Sequence, residues 1–312
     1  MNKKNLTIIL GIAIPFFIGF FCYSLTPEQE KIDECVPELK GLMPEAPEEK
    51  WKMREIEIES TALRGKGKCS IYLPPDYENN RKKKYPVVYY LHGMGDNHKT
   101  WLDGEQEMDR MATLLIERGE IIPVILVAPD GGRGFWSNFF DGSVLYEDWV
   151  VQELKNYIEK NYRVLKGRKN TVIAGVSMGG YGALKIAMRH PELYGLVCAI
   201  SPAIPPPLLP GEQSSWLTRI FGPPSDQAYY RQNHPYWLVR QDPAKFKNIT
   251  FVFKCGTADN LFPTVSSFVS FMKLSGISCE FQTYTGMKHD VFFFRRSSVD
   301  CLRRISQYFS HK

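Results

Sequence analysis

The sequence predicts an α/β fold: a mostly parallel, doubly wound sheet with an aromatic- and Pro-rich excursion after its sixth strand region. Three observations point there. Short, nearly continuous apolar runs alternate with helix-like stretches from residue 87 onward. Strands covered on both faces need such runs, and strand–helix–strand repetition gives parallel pairs joined by crossovers. Two segments ahead of them, 54–60 and 69–73, suit an antiparallel, hairpin-like edge; the first alternates apolar and polar residues and Pro74-Pro75 ends the second. A Gly-rich turn at 175–180 then joins an apolar run to a helical one.

The elements follow in order. Lys3 and Lys4 precede an uncharged apolar run from Leu6 to Phe21, and polar residues resume by Thr26. This is the layout of a signal peptide or an N-terminal membrane anchor over residues 1–25. Cys22 and Ser24, small residues with one position between them, allow cleavage after Ser24. Residues 26–50 are rich in Glu, Pro and Lys and suit a linker. Residues 51–312 then suit one α/β domain, within the usual size of such folds. The expected strands are 87–91, 124–128, 171–174, 196–200, 249–253 and 279–284. The expected helices are 105–117, 147–160, 178–189, 264–274 and 291–308. In the second of these, Trp149, Val150, Leu154, Tyr157 and Ile158 make one apolar stripe. Residues 202–245 hold Trp216, Tyr229, Tyr230, Tyr236 and Trp237 without a strand pattern. They suit a partly helical surface excursion, placed where an insertion caps a site on the C-terminal edge of the sheet.

Composition narrows the function classes. The 312 residues are 44% hydrophobic and 23% charged, ordinary for a chain with a sizeable core. The net charge of +5 is spread over clusters such as Arg81–Lys84 and Arg303-Arg304, which suit solvated faces. No stripe interleaves aromatic with basic residues, so nucleic acid is not the expected partner. Beyond the apolar segment lie Cys35, Cys69, Cys198, Cys255, Cys279 and Cys301. An even number suits pairing after export, whereas Cys198 and Cys255 sit in apolar runs and suit free core thiols. No CxxC or Cys/His cluster suggests a metal.

The chemistry concentrates at Gly175-Val176-Ser177-Met178-Gly179-Gly180, a GxSxG turn between a strand and a helix. That context makes Ser177 a candidate nucleophile. The helix N-terminus behind it offers free N–H groups to a developing oxyanion. A hydroxyl needs a base. Of six histidines, His289 in the loop Gly286–Asp290 is the best placed, after the last strand and before the last helix. His190 suits a helix end, His311 lies in the tail, and His234 is the reserve candidate. The acid is expected after the strand at 249–253, at Asp259; Asp242 and Asp226 are weaker alternatives. For the oxyanion hole, Met178 supplies one N–H and Met94, after the strand at 87–91, the second. His92 is read as a support of that loop.

LHGMGDNHKTW at 91–101, PDGG at 129–132, GVSMGGYGALKIA at 175–187, CGTADN at 255–260 and GMKHD at 286–290 together resemble one family of esterases. It holds esterase D, short-chain esterases, and the feruloyl and acetylxylan esterases of carbohydrate esterase family 1; secreted mycolyltransferases are relatives. The resemblance runs from about Glu55 to Phe309. It implies an α/β-hydrolase fold without metal or organic cofactor, with Ser177 as nucleophile, Asp259 as acid and His289 as base. It implies a serine esterase acting on short-chain acyl or carbohydrate-linked esters. An acyltransferase and an inactive binding protein on the same fold are the alternatives. The excursion and the N-terminal segment depart from the cytosolic esterase D branch and favour action outside the cytoplasm.

Overall fold

The computed structural model describes residues 52–101, 107–205 and 215–310. The expected leader, the linker, Cys35 and His311 lie outside these. Eight strands form one sheet: β1 Lys52–Ser60, β2 Gly65–Leu73, β3 Val87–Leu91, β4 Ile125–Pro129, β5 Thr171–Val176, β6 Leu196–Ile200, β7 Thr250–Gly256 and β8 Cys279–Tyr284. Their order is β1-β2-β4-β3-β5-β6-β7-β8. β1 pairs antiparallel with β2, and β2 with β4; every later pair is parallel. The sheet is the antiparallel edge plus doubly wound core that the sequence predicts.

Alternation along the strands sends their residues to two layers. Val87, Tyr89 and Leu91 pack with α2 (Lys155–Asn161), α3 (Met178–Arg189) and α7 (Phe262–Leu274) on one face. Val88 and Tyr90 pack with α1 (Met108–Glu117) and α8 (Val291–Ser310) on the other. β5 lies in the middle, and all six of its residues are buried. The apolar run Thr171–Val176 therefore has one stable place, between two helical layers.

The boundaries agree to within a few residues, and three features differ in kind. The segment expected as one helix over 147–160 contains a π-helical turn, Trp149–Leu154, before α2. Trp149, Val150 and Val151 are all buried there, which a strict 3.6-residue stripe does not foresee. β8 was expected to be a buried run, but its residues are half-buried or exposed. It pairs only with β7 and is an edge strand, so water reaches its outer rim. The excursion folds as α4 (Ser215–Phe221), α5 (Gln227–Asn233), α6 (Pro235–Gln241) and a 3-10 turn at Pro243–Phe246. Asp226 caps α5 through the Ala228 N–H, and Pro235 opens α6, where its missing N–H costs nothing.

Cys69, Cys198, Cys255, Cys279 and Cys301 carry free thiols. Among the described residues, no helix is long and apolar enough to cross a membrane.

Candidate active site

Crossover geometry brings the loops after β3, β4, β5, β7 and β8 to one edge, the C-terminal ends of the parallel strands. Ser177 follows β5 at a sharp turn with φ 52° and ψ −118°, a strained backbone for a residue with a side chain. The turn is held from three sides. Ser177 N–H donates to Ile200 O at 2.9 Å, while Tyr181 and Ala203 N–H donate to Ser177 O at 3.0 Å each. The glycines around it are there for space. A Cβ on Gly179 would stand 2.0 Å from Leu91 O, and one on Gly175 2.5 Å from the carbonyl carbon of Gly179. Backbone cannot retreat from either clash, so the motif needs glycine at both positions.

Asp259 follows β7, and its side chain is fully buried. His289, in the loop between β8 and α8, keeps about a third of its side chain exposed. Hydrogen bonds between these loops fix their relative height: Ala258 N–H to Met287 O at 3.0 Å and Gly286 N–H to Thr257 Oγ1 at 2.8 Å. His289 Nδ1 lies 2.7 Å from Asp259 Oδ2, and His289 Nε2 lies 3.0 Å from Ser177 Oγ. An ionised carboxylate can only accept, so Nδ1 carries the proton and Nε2 is free to accept the Ser177 hydroxyl. Phe294 meets the His289 ring edge-to-face at 4.9 Å. Burial pushes the Asp259 carboxyl up. The His289 contact, the Ser201 hydroxyl and the Leu261 N–H outweigh it and hold Asp259 below the usual carboxylate range.

The loop after β3 abuts Ser177: a Cβ on Gly93 would lie 3.6 Å from Ser177 Cβ. Met94 sits in the following turn, more than a third exposed. Met178 is the first residue of α3, so its N–H has no acceptor within the helix. His92 is buried and supports this loop. Its Nε2 accepts the Gly131 N–H at 2.9 Å, which leaves Nδ1 to donate to Gly93 O at 2.8 Å. The indole N–H of Trp136 donates to His92 O at 3.2 Å.

Other sequence candidates fall elsewhere. His234 Nε2 is spent on Pro205 O at 3.0 Å, inside the excursion. His190 lies at the end of α3 and meets Glu147 at 2.8 Å. Asp226 and Asp242 serve as starts of helical turns. Several residues escaped the sequence reading. Ser201 donates to Asp259 Oδ2 at 2.6 Å. Lys185, wholly buried on α3, donates to Trp136 O, Ser137 Oγ and Glu147 Oε2. Burial would push Glu147 up, but Lys185, His190 and Arg189 hold its carboxyl well below the usual range. Only the charge of Glu147 and Lys185, set among helical apolar residues, hinted at a buried pair. Among the described residues, no cluster of three or more His, Cys, Asp or Glu side chains is placed to hold a metal.

Comparison with known proteins gives a consistent picture. A 137-residue stretch is 31% identical to an endo-1,4-beta-xylanase/feruloyl esterase of Xylanibacter ruminicola, covering 41% of this chain and 18% of that protein. A 125-residue stretch is 34% identical to an esterase of Mycobacterium tuberculosis, covering 39% of this chain and 26% of that one. The matches thus span about a quarter or less of these curated relatives. The chain also superposes on the structure of a ferulic acid esterase with a TM-score of 0.73 and 28% identity, over 83% of this chain and 99% of that one. The family model described as "Putative esterase" matches residues 60–290, well over half of the chain, and the protein belongs to that esterase family.

Proposed function

We propose that the protein is a serine carboxylic ester hydrolase working through an acyl-enzyme. The observation that carries this is the continuous hydrogen-bonded line from Ser177 Oγ through His289 to Asp259, at 3.0 and 2.7 Å. Ser177 attacks the ester carbonyl while His289 Nε2 takes its proton; the C–O bond to the alcohol breaks as His289 returns that proton to the leaving oxygen. Water then repeats the sequence and frees the acid. Asp259 stays ionised throughout and stabilises the imidazolium. The Met178 and Met94 N–H groups are the assigned oxyanion donors.

The substrate class in this reading is short-chain acyl or carbohydrate-linked esters of the acetyl or feruloyl type. Two similar proteins, a xylanase/feruloyl esterase and a ferulic acid esterase, support it. So does the root of the excursion: Ala203, at its start, bonds the carbonyl of Ser177. Tyr181, whose N–H also bonds that carbonyl, meets Phe135 at 5.8 Å; Phe135 and Trp216 lie 5.7 Å apart and are only partly buried, which leaves aromatic surface for stacking. The lysine-flanked apolar run at residues 6–21 supports action outside the cytoplasm, by export or anchoring, in the same reading.

The test is hydrolysis of p-nitrophenyl acetate, butyrate and octanoate beside methyl ferulate, with Ser177→Ala as control. Turnover that vanishes in the variant is expected, together with fluorophosphonate labelling of Ser177. Equal rates in both proteins, without labelling, would remove the assignment.

A further inference from the structure

Ser201 follows β6 directly, and its backbone takes φ 40°. Glycine adopts that conformation freely, whereas serine pays strain for it. The residue is completely buried, and its N–H donates to Lys254 O at 2.8 Å, which locks the strained turn to β7. The lock aims Oγ at Asp259 Oδ2, 2.6 Å away. That oxygen also takes the His289 Nδ1–H at 2.7 Å, while Oδ1 takes the Leu261 N–H at 2.8 Å. The carboxylate only accepts, so Ser201 is the donor. Its own oxygen lies 3.3 Å from Cys255 Sγ. Burial pushes that thiol up to about 12, so it keeps its proton and can donate to Ser201. A line of donors therefore runs from Cys255 through Ser201 to Asp259, on the side of the carboxylate away from solvent.

We propose that Ser201 is a positioning residue that sets the basicity of His289 by holding Asp259 Oδ2 and drawing off part of its negative charge. This rests on the esterase reading above. A residue needed only for the turn would be glycine; a strained serine whose hydroxyl meets the acid is kept for the hydroxyl. Without it, the charge of Asp259 falls more fully on His289 and stabilises the imidazolium. The acid limb of kcat/KM then moves up by about one pH unit. On the acid side of both limbs kcat/KM falls by about tenfold, and near neutral pH by about threefold.

The experiment uses the full-length protein with Ser201→Ala, which removes the hydroxyl and keeps the strain, and Ser201→Gly, which removes both. Profiles of kcat/KM against pH with p-nitrophenyl acetate are paired with an NMR titration of the His289 ring. Thermal unfolding reports the strain separately. The expected result is the same upward shift in both variants, by kinetics and by NMR, with the glycine variant melting higher than the alanine one. Wild-type profiles in both variants, or a defect in Ser201→Ala that Ser201→Gly restores, would overturn the proposal. Should the wild-type protein hydrolyse no ester while the His289 titration still moves in both variants, the esterase reading fails and the coupling of Ser201 to His289 stands.

Discussion

At the scale of single residues, the site depends on protons held at stated atoms. Asp259 keeps His289 with its proton on Nδ1, so Nε2 faces Ser177 as an acceptor. Asp259→Asn can donate to Nδ1 and favours the opposite tautomer. We expect kcat on p-nitrophenyl acetate to fall roughly 10³- to 10⁴-fold, with a lower thermal midpoint at neutral pH. Asp259 also links stability to pH. Its carboxyl is held below its ordinary value near 3.9 despite burial, so the native state binds that proton less readily than the unfolded chain. The stabilisation is complete above the unfolded value and is lost as pH falls through the native one. Urea midpoints measured from about pH 6 down to pH 3 should therefore drop less steeply in Asp259→Asn than in the wild type. Motifs and the chain order of serine, acid and histidine made Ser177, Asp259 and His289 legible as candidates. Ser201 was not: Ser201-Pro202 after an apolar run looks like any strand end, and its partner lies 58 residues away.

At the scale of elements, the strand-to-helix turn at Ser177 and the loop after β3 must approach closely. Gly179→Ala would place a Cβ 2.0 Å from the Leu91 carbonyl oxygen, backbone against backbone. We expect a loss of about 3 kcal/mol or more in urea unfolding, or no soluble protein. Trp136 acts across the same gap. Its backbone, like that of Phe135, takes positive φ, and Lys185 holds its carbonyl at 2.7 Å. Its indole N–H in turn holds His92, the residue that braces the turn carrying Met94. Trp136→Phe keeps most of the ring and loses that bond. The expected cost is about 1 kcal/mol in stability, with kcat reduced severalfold and KM nearly unchanged; steady-state kinetics beside urea unfolding would check it. The hydrophobic runs that became strands were visible in the sequence, as were the helices following them. The π turn at Trp149–Leu154 and the edge position of β8 were not, because periodicity reports which residues seek cover and not which neighbour supplies it.

At the scale of the whole molecule, a buried charge cluster ties the segment before α2 to α3 and to the far end of α3. Glu147 meets Lys185 at 2.7 Å, Arg189 at 2.6 Å and His190 at 2.8 Å, and the side chains of Glu147 and Lys185 are almost wholly buried. Glu147→Gln leaves a buried ammonium with neutral acceptors. It should cost about 3–5 kcal/mol in equilibrium unfolding, and replacing Lys185 by Met in the same chain should recover a large part of that. Local sequence accounts for the parallel sheet with its antiparallel edge, for the turn that presents Ser177, and for the choice of Ser177, Asp259 and His289 as candidates. These follow from local periodicity, from glycine where no side chain fits, and from motifs a few residues long. Long-range packing alone sets Ser201 against Asp259, Trp136 against His92, and Glu147 against Lys185, Arg189 and His190. Each pairing joins residues roughly forty to sixty positions apart. Such partners are chosen by how crossovers and loops stack along one sheet edge, and no local pattern encodes that stacking.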